Sequence, residues 1–112
     1  MIDSYDFGKI VIDGKHFTSD VIIYPDRIDA NWWRKEGHEL HPEDLKEVVE
    51  EKPAVLVVGT GKWGLMEVLP ETRDFLQSKG IKLIVEETDD ACQAYNRLLG
   101  SERVVAALHL TC

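Results

Sequence analysis

Ala54-Val55-Leu56-Val57-Val58 runs directly into Gly59-Thr60-Gly61-Lys62-Trp63-Gly64, and the fold class turns on this stretch. Five consecutive apolar residues, three of them valine, describe a strand buried on both faces, as inside a parallel sheet. The next six residues spell G-x-G-x-x-G at the strand's carboxyl end. Ligands of open α/β sheets bind beyond the carboxyl ends of strands. The stretch therefore marks the interior of a sheet and a place where a ligand could sit.

Outward from this strand, helical and strand patterns alternate. Upstream, Pro42, Glu43 and Asp44 open a helix, and Leu45, Val48 and Val49 supply its i, i+3, i+4 stripe. Downstream, Pro70 and Glu71 start a second helix with Thr72, Phe75 and Leu76 facing inward and Gly80 as its stop. Ile81 to Val85 reads as a strand. Thr88 is expected to cap a third helix, with Asp89 and Asp90 in its first turn and Ala91, Ala94, Tyr95 and Leu98 buried. Val104 to Leu110 is the last strand, apolar on both faces. At the other end, Phe7 to Ile12 alternates, and Asp13-Gly14 makes a two-residue hairpin turn. The return strand is expected from near His16 through Val21–Tyr24 to Pro25. Residues 26–41 lack a period, with a short strand expected around Asn31 to Arg34. Connections this long are often functional. The predicted order is ββ-(loop)-α-β-α-β-α-β, with right-handed crossovers in its second half.

Length and composition bound the function. A chain of 112 residues makes one domain, 1–112, with enough core to fold without metal or disulfide staples. Its net charge of −8, from 21 acids against 13 bases, argues against nucleic acid or an anionic membrane as the main partner. A small anionic ligand needs only local donors and stays open. Cys92 and Cys112 form no C-x-x-C pair, so reduced thiols and a cytoplasmic location are expected. Asp3 and Asp6 interrupt any signal-peptide pattern at the start, and no apolar run approaches the ~20 residues that span a bilayer.

The glycine turn admits three readings. As a dinucleotide fingerprint it has the preceding strand and the acids Glu86 and Glu87 at the end of the next one. Against that, Leu65 to Leu69 intervene before the helix, whereas the fingerprint starts its helix within the glycines. Leu65 and Met66 also stand where a Walker loop needs Lys and Ser or Thr, so no nucleotide cofactor is expected. The second reading is a tight turn that needs positive φ. The third is a backbone nest, with Gly59, Thr60, Gly61 and Lys62 holding a carboxylate or phosphate.

Other constellations are weaker. His38-Glu39-Leu40-His41 misses the H-E-x-x-H spacing that puts two histidines on one helical face, so no metal is expected. Strand alternation puts His109 and Cys112 on opposite faces, which argues against a catalytic Cys–His pair. Cys92 reads as a small core residue. No G-x-S-x-G elbow is present, and no catalytic residue is assigned. The acids from Glu43 to Glu51 read as a solvated helix face rather than a contact surface. Trp33 and Arg34 can anchor a partner or fork onto an anion, or can plug and cover the core; both readings stand. Trp32 and Trp63 add two more aromatics outside regular elements.

Several short motifs occur together in order: Phe7-Gly8, Trp33-Arg34-x-x-Gly37-His38, Val57-Val58-Gly59-Thr60-Gly61, Ala94-Tyr95-Asn96 and His109-x-Thr111-Cys112. In this the chain resembles a small family of uncharacterised α/β proteins from bacteria, archaea and eukaryotes. Its human members include the adipogenesis-associated protein of this domain type and a mitochondrial assembly factor for respiratory complex I. The resemblance implies one three-layer domain around a central mixed sheet, no established reaction, and assembly or regulatory roles. The expectation is a single α/β domain with flanking helices and an N-terminal β-hairpin, a monomer or weak homodimer. Its leading function is a non-enzymatic interaction or assembly module with a protein partner. The alternative is an enzyme or sensor for a small anionic ligand at the Gly59–Gly64 turn, with Trp33, Arg34, Lys62 and His38 around it.

Overall fold

A computed structural model describes all 112 residues. In chain order its elements are β1 (Ile2–Asp6), β2 (Lys9–Ile12), β3 (Lys15–Phe17), β4 (Val21–Ile23), β5 (Ile28–Asp29), β6 (Glu39–Leu40), a 3-10 turn (Pro42–Leu45), α1 (Lys46–Glu51), β7 (Val55–Thr60), β8 (Glu67–Val68), α2 (Pro70–Ser78), β9 (Lys82–Glu86), α3 (Thr88–Leu98) and β10 (Val104–His109). The central sheet runs β5-β4-β10-β7-β9. β10, β7 and β9 are parallel, while β4 and β5 join antiparallel on the other side of β10. Every residue of β7 and β10 is buried, as an apolar run with no alternation requires. β9 lies at the edge and is only half-buried.

Alternation along the interior strands divides the core in two. Val55, Val57, Val104, Ala106 and Leu108 pack against Ala91, Ala94 and Tyr95 of α3 and against Ile2, Ile10 and Ile12 of the N-terminal strands. Leu56, Val58, Val105 and Ala107 face the opposite way, onto Leu45, Val48, Leu76, Trp32 and Met66. The result is the three-layer mixed α/β arrangement expected, with flanking helices on both faces. Each fully buried aliphatic side chain contributes roughly 1.5–3 kcal/mol.

The structure corrects four local expectations. The Asp13-Gly14 turn forms, with φ of 48° and 79°. However, the hairpin gains a strand, β1, and its return strand stops at Phe17. Val21–Ile23 leaves for the central sheet because all three residues are buried, which a solvent-facing hairpin could not offer. The side-chain amide of Asn96 on α3 holds β1 by exchanging two hydrogen bonds with the backbone of Ile2, at 2.9 and 2.8 Å. The short strands of the long connection are β5 and β6, and none forms at 31–34. The helix begun by Pro42 is a 3-10 turn before it becomes α1. Finally, Glu87 rather than Thr88 holds the N-cap position of α3. The Thr88 hydroxyl is instead buried, accepting from the Gly61 amide and donating to the His109 carbonyl.

Val57 is fully buried between β10 and β9. Val57→Asp is expected to leave the chain unfolded at 25 °C, because a buried unpaired carboxylate costs more than about 4 kcal/mol. A thermal melt followed by circular dichroism checks this; a melting temperature near wild type would refute the interior placement of β7.

Candidate functional site

The glycine turn closes over the chain's last residues. Gly61 has φ of +107°, and a Cβ there would lie 2.7 Å from the Cys112 backbone oxygen and 2.8 Å from that of Thr111. Only glycine permits this approach. The Gly61 amide donates to Thr88 Oγ1 at 2.8 Å, the Lys62 amide to the Thr111 carbonyl at 2.7 Å, and the Leu65 amide to the Cys112 backbone oxygen at 3.2 Å. Gly59 packs as tightly, since a Cβ would meet Thr88 Oγ1 at 2.8 Å and Leu108 at 2.9 Å. Thr60 Oγ1 donates to the Glu86 carbonyl. Lys62 Nζ pairs with Asp89 at 3.1 Å and stands 5.5 Å over the Tyr5 ring. The Lys62 and Leu65 amides therefore cradle the segment that follows β10, while the Gly61 amide is held by Thr88 of α3.

Next to this cradle lies a charged cluster that the sequence did not announce. Asp20, just before β4, accepts the Leu110 amide on Oδ1 at 2.8 Å. Its Oδ2 accepts from Arg34 Nη1 at 2.8 Å and lies 2.8 Å from His109 Nδ1. His109 Nδ1 sits between two partners, Asp20 Oδ2 at 2.8 Å and Arg34 Nη2 at 3.1 Å. Arg34 Nη2 also donates to the Gly37 carbonyl at 3.0 Å. The Arg34 guanidinium lies 4.6 Å over the Trp32 ring, which is itself buried. His109 Nε2 and Arg34 Nε are buried without a hydrogen-bond partner. Burial works against the Asp20 carboxylate, yet hydrogen bonds from His109, the Leu110 amide and Arg34 outweigh it and hold its pKa below the ordinary value.

His38 is exposed, and its Nε2 lies 3.9 Å from Cys112 Sγ, while its ring meets that of His109 edge-on at 5.9 Å. The histidine beside Cys112 is thus His38, because the chain has left the strand before Cys112 and alternation no longer governs it. Cys92 is buried on α3, and burial pushes its thiol up to about 12, which leaves it protonated and inert.

Adjacent residues of the long loop part company. Arg34 turns in, with its side chain 5% exposed, whereas Trp33 turns out and is 78% exposed. Trp33 stands at the edge of an open depression of about 520 Å³ that includes Tyr24, Trp32, Asp29, Glu43 and Glu47. A second aromatic pair, Phe7 and Trp63, packs at 5.2 Å between ring centroids and stays exposed beside Leu65 in sequence. Of the residues singled out in the sequence, the structure groups Arg34 with His38 around His109, and Gly61 with Lys62 around residues 111–112. Trp33 belongs to a different surface. Asp20 could not have been found, since an acid ahead of an apolar strand has no distinguishing pattern.

Asp20→Asn is expected to cost about 3 kcal/mol at neutral pH, because it leaves a buried guanidinium without its counter-charge. The depressed pKa of Asp20 means that this stabilisation is present above the unfolded value near 4 and is lost as pH falls through the folded value. Melting curves of both proteins from pH 7 to pH 2 should converge below about pH 4. Curves that coincide over the whole range would show that the Asp20 charge contributes no net stability.

Residues 2–109 match the family described as "Protein of unknown function (DUF498/DUF598)". A conserved hypothetical protein from Pyrococcus horikoshii OT3 has the same fold at a TM-score of 0.85 and 33% identity, over 100% of this chain and 99% of that one. An outer membrane protein from Bartonella henselae matches at a TM-score of 0.84 and 27% identity, over 99% and 94% of the two chains. Among curated proteins, NADH dehydrogenase [ubiquinone] 1 alpha subcomplex assembly factor 3 of Xenopus tropicalis is 26% identical over 108 residues. That alignment takes in 95% of this chain, which spans 58% of the relative's length. No helix of the chain is long and apolar enough to cross a membrane. The match over 2–109 and the shared fold together place this chain in the DUF498/DUF598 family.

Proposed function

We propose that the protein is a non-enzymatic interaction or assembly module that binds a protein partner through exposed aromatic side chains, chiefly Trp33. One observation carries this reading: Trp33 stands 78% exposed between two residues, Trp32 and Arg34, whose side chains are buried. A large aromatic held out by a rigid support loses little entropy on binding, and tryptophan is enriched among residues that dominate interface energies. The relative named as an assembly factor supports a partner of the protein class. The net charge of −8 supports a partner other than nucleic acid or an anionic membrane. The module acts in the cytoplasm as a monomer or weak homodimer.

The competing reading, a sensor for a small anion at the Gly59–Gly64 turn, requires new donors or departure of the Thr111 and Cys112 oxygens from the amides they occupy. The two are separated by experiment. Tagged wild-type protein and the variants Trp33→Ser and Trp63→Ser are used to recover partners from the native lysate, after circular dichroism establishes that each variant folds. Loss of a hot-spot anchor should weaken partner binding by at least about 2 kcal/mol. A Glu50→Lys control should cost under about 1 kcal/mol. Both tryptophan variants retaining the wild-type partners would overturn the module reading. A rise in melting temperature with millimolar sulfate, removed by Lys62→Ala, would favour the anion sensor in its place.

A further inference from the structure

We infer that the Trp33 depression receives a basic side chain, arginine or lysine, from a protein partner; this rests on the interaction-module reading and names the chemistry of that partner. Three observations converge on it. First, the charges around the depression favour a cation. Asp29, Glu43, Asp44 and Glu47 line it against Lys35 and Lys46. The Asp44 carboxylate is occupied by the amides of Lys35 and His41, and Glu43 lies 3.8 Å from Lys35 Nζ. Asp29 Oδ1 accepts the Asn31 amide at 3.1 Å, so Asp29 Oδ2 and the Glu47 carboxylate, which has only a 4.0 Å contact with Arg27, face an incoming cation, against Lys46 as the one lysine of the lining without a carboxylate partner.

Second, the aromatic layer around the depression already holds guanidinium groups of the chain itself. Arg27 lies 4.0 Å over the Tyr24 ring and Arg34 lies 4.6 Å over the Trp32 ring. Trp33 is the most exposed of these aromatics and carries no cation. An indole face is the strongest of the side-chain π surfaces for a cation. Third, the volume of about 520 Å³ lies in the range of ligand clefts and accommodates one long side chain with its flanking backbone. A guanidinium between the Trp33 face and the carboxylates of Asp29 and Glu47 would gain stacking and charge pairing together. The acidic helix face, expected from sequence to be only solvated, thereby forms one wall of the site.

The test uses nitrogen-15 labelled full-length protein and two probe peptides. Acetyl-Leu-Arg-Leu-amide carries the cation, and the same peptide with citrulline replacing arginine keeps the shape without the charge. Each is titrated to millimolar concentration in low salt. The arginine peptide should shift the Trp33 indole resonance and the amides of residues 29–35 and 43–47. It should bind at least about fivefold more tightly than the citrulline peptide. Trp33→Ser should abolish the shifts, and Glu47→Lys, at an exposed position, should weaken them without altering the fold. Equal binding of both peptides, shifts confined to other residues, or binding that survives Trp33→Ser would overturn the assignment. If the arginine peptide fails while Trp33→Ser still loses the lysate partner, the module reading stands and only the basic-side-chain assignment falls. A dimer in solution abolished by Trp33→Ser would assign the depression to a second copy of the chain and overturn this proposal.

Discussion

The Asp20 carboxylate is the junction on which the rest of the architecture depends. One oxygen accepts the Leu110 amide just after β10, and the other is shared by Arg34 and His109. The Asp20 carbonyl also accepts the Trp32 amide at 2.9 Å. One residue therefore pins the start of β4, the end of β10 and the long loop together. Arg34, with its positive charge neutralised at this junction, can lie over Trp32 inside the structure. With Trp32 and Arg34 drawn inward, Trp33 between them has to face solvent. The exposure of the proposed contact residue is thus a consequence of a buried ion pair.

The glycine turn shows how one string of letters can arise from a different physical demand. In a dinucleotide fold, glycines let the backbone approach a pyrophosphate at a helix N-terminus. Here they let the backbone approach another stretch of the same chain. Gly59 makes room for Thr88 and Leu108, and Gly61 for the carbonyls of Thr111 and Cys112. Thr88 bridges the turn to β10 through its hydroxyl. The helix that follows β8 starts at Pro70, away from the turn, so it brings no N-terminal amides to it.

The surface divides accordingly. The carboxyl ends of β7 and β10 are filled by the chain's own segment, flanked by His38 and by the Phe7–Trp63 pair. The Trp33 depression opens elsewhere, between the loop that carries Trp33 and the acidic turn and helix from Pro42 to Glu51. Under the proposed reading, an acidic protein with an aromatic anchor beside carboxylates would meet a basic, partly apolar partner, with opposite charge steering the encounter and the aromatic contact supplying residence time.

Local pattern was enough to place the interior strands, the three helical segments and the Asp13-Gly14 turn, because each depends on neighbours within a few residues. Apolar runs mark β7 and β10, i, i+3, i+4 stripes mark the helices, and a turn needing positive φ shows as Asp-Gly. Pattern also marked residues 26–41 as the irregular region holding Trp33, and its motifs pointed to the family that residues 2–109 match. Tertiary structure decided what no local window contains. Val21–Ile23 looked like the end of a hairpin, yet burial on both faces sent it to β10. Trp33 and Arg34 are adjacent and look alike as binding residues, but an acid 14 positions earlier drew only Arg34 inward. The sequence by itself determined which strands are interior and which segments are helical, since hydrophobic periodicity is a local property, while the three layers followed from the family resemblance. Only the fold determined which side chains face one another, since charge pairing and close approach join residues as distant as Asp20 and His109, 89 positions apart.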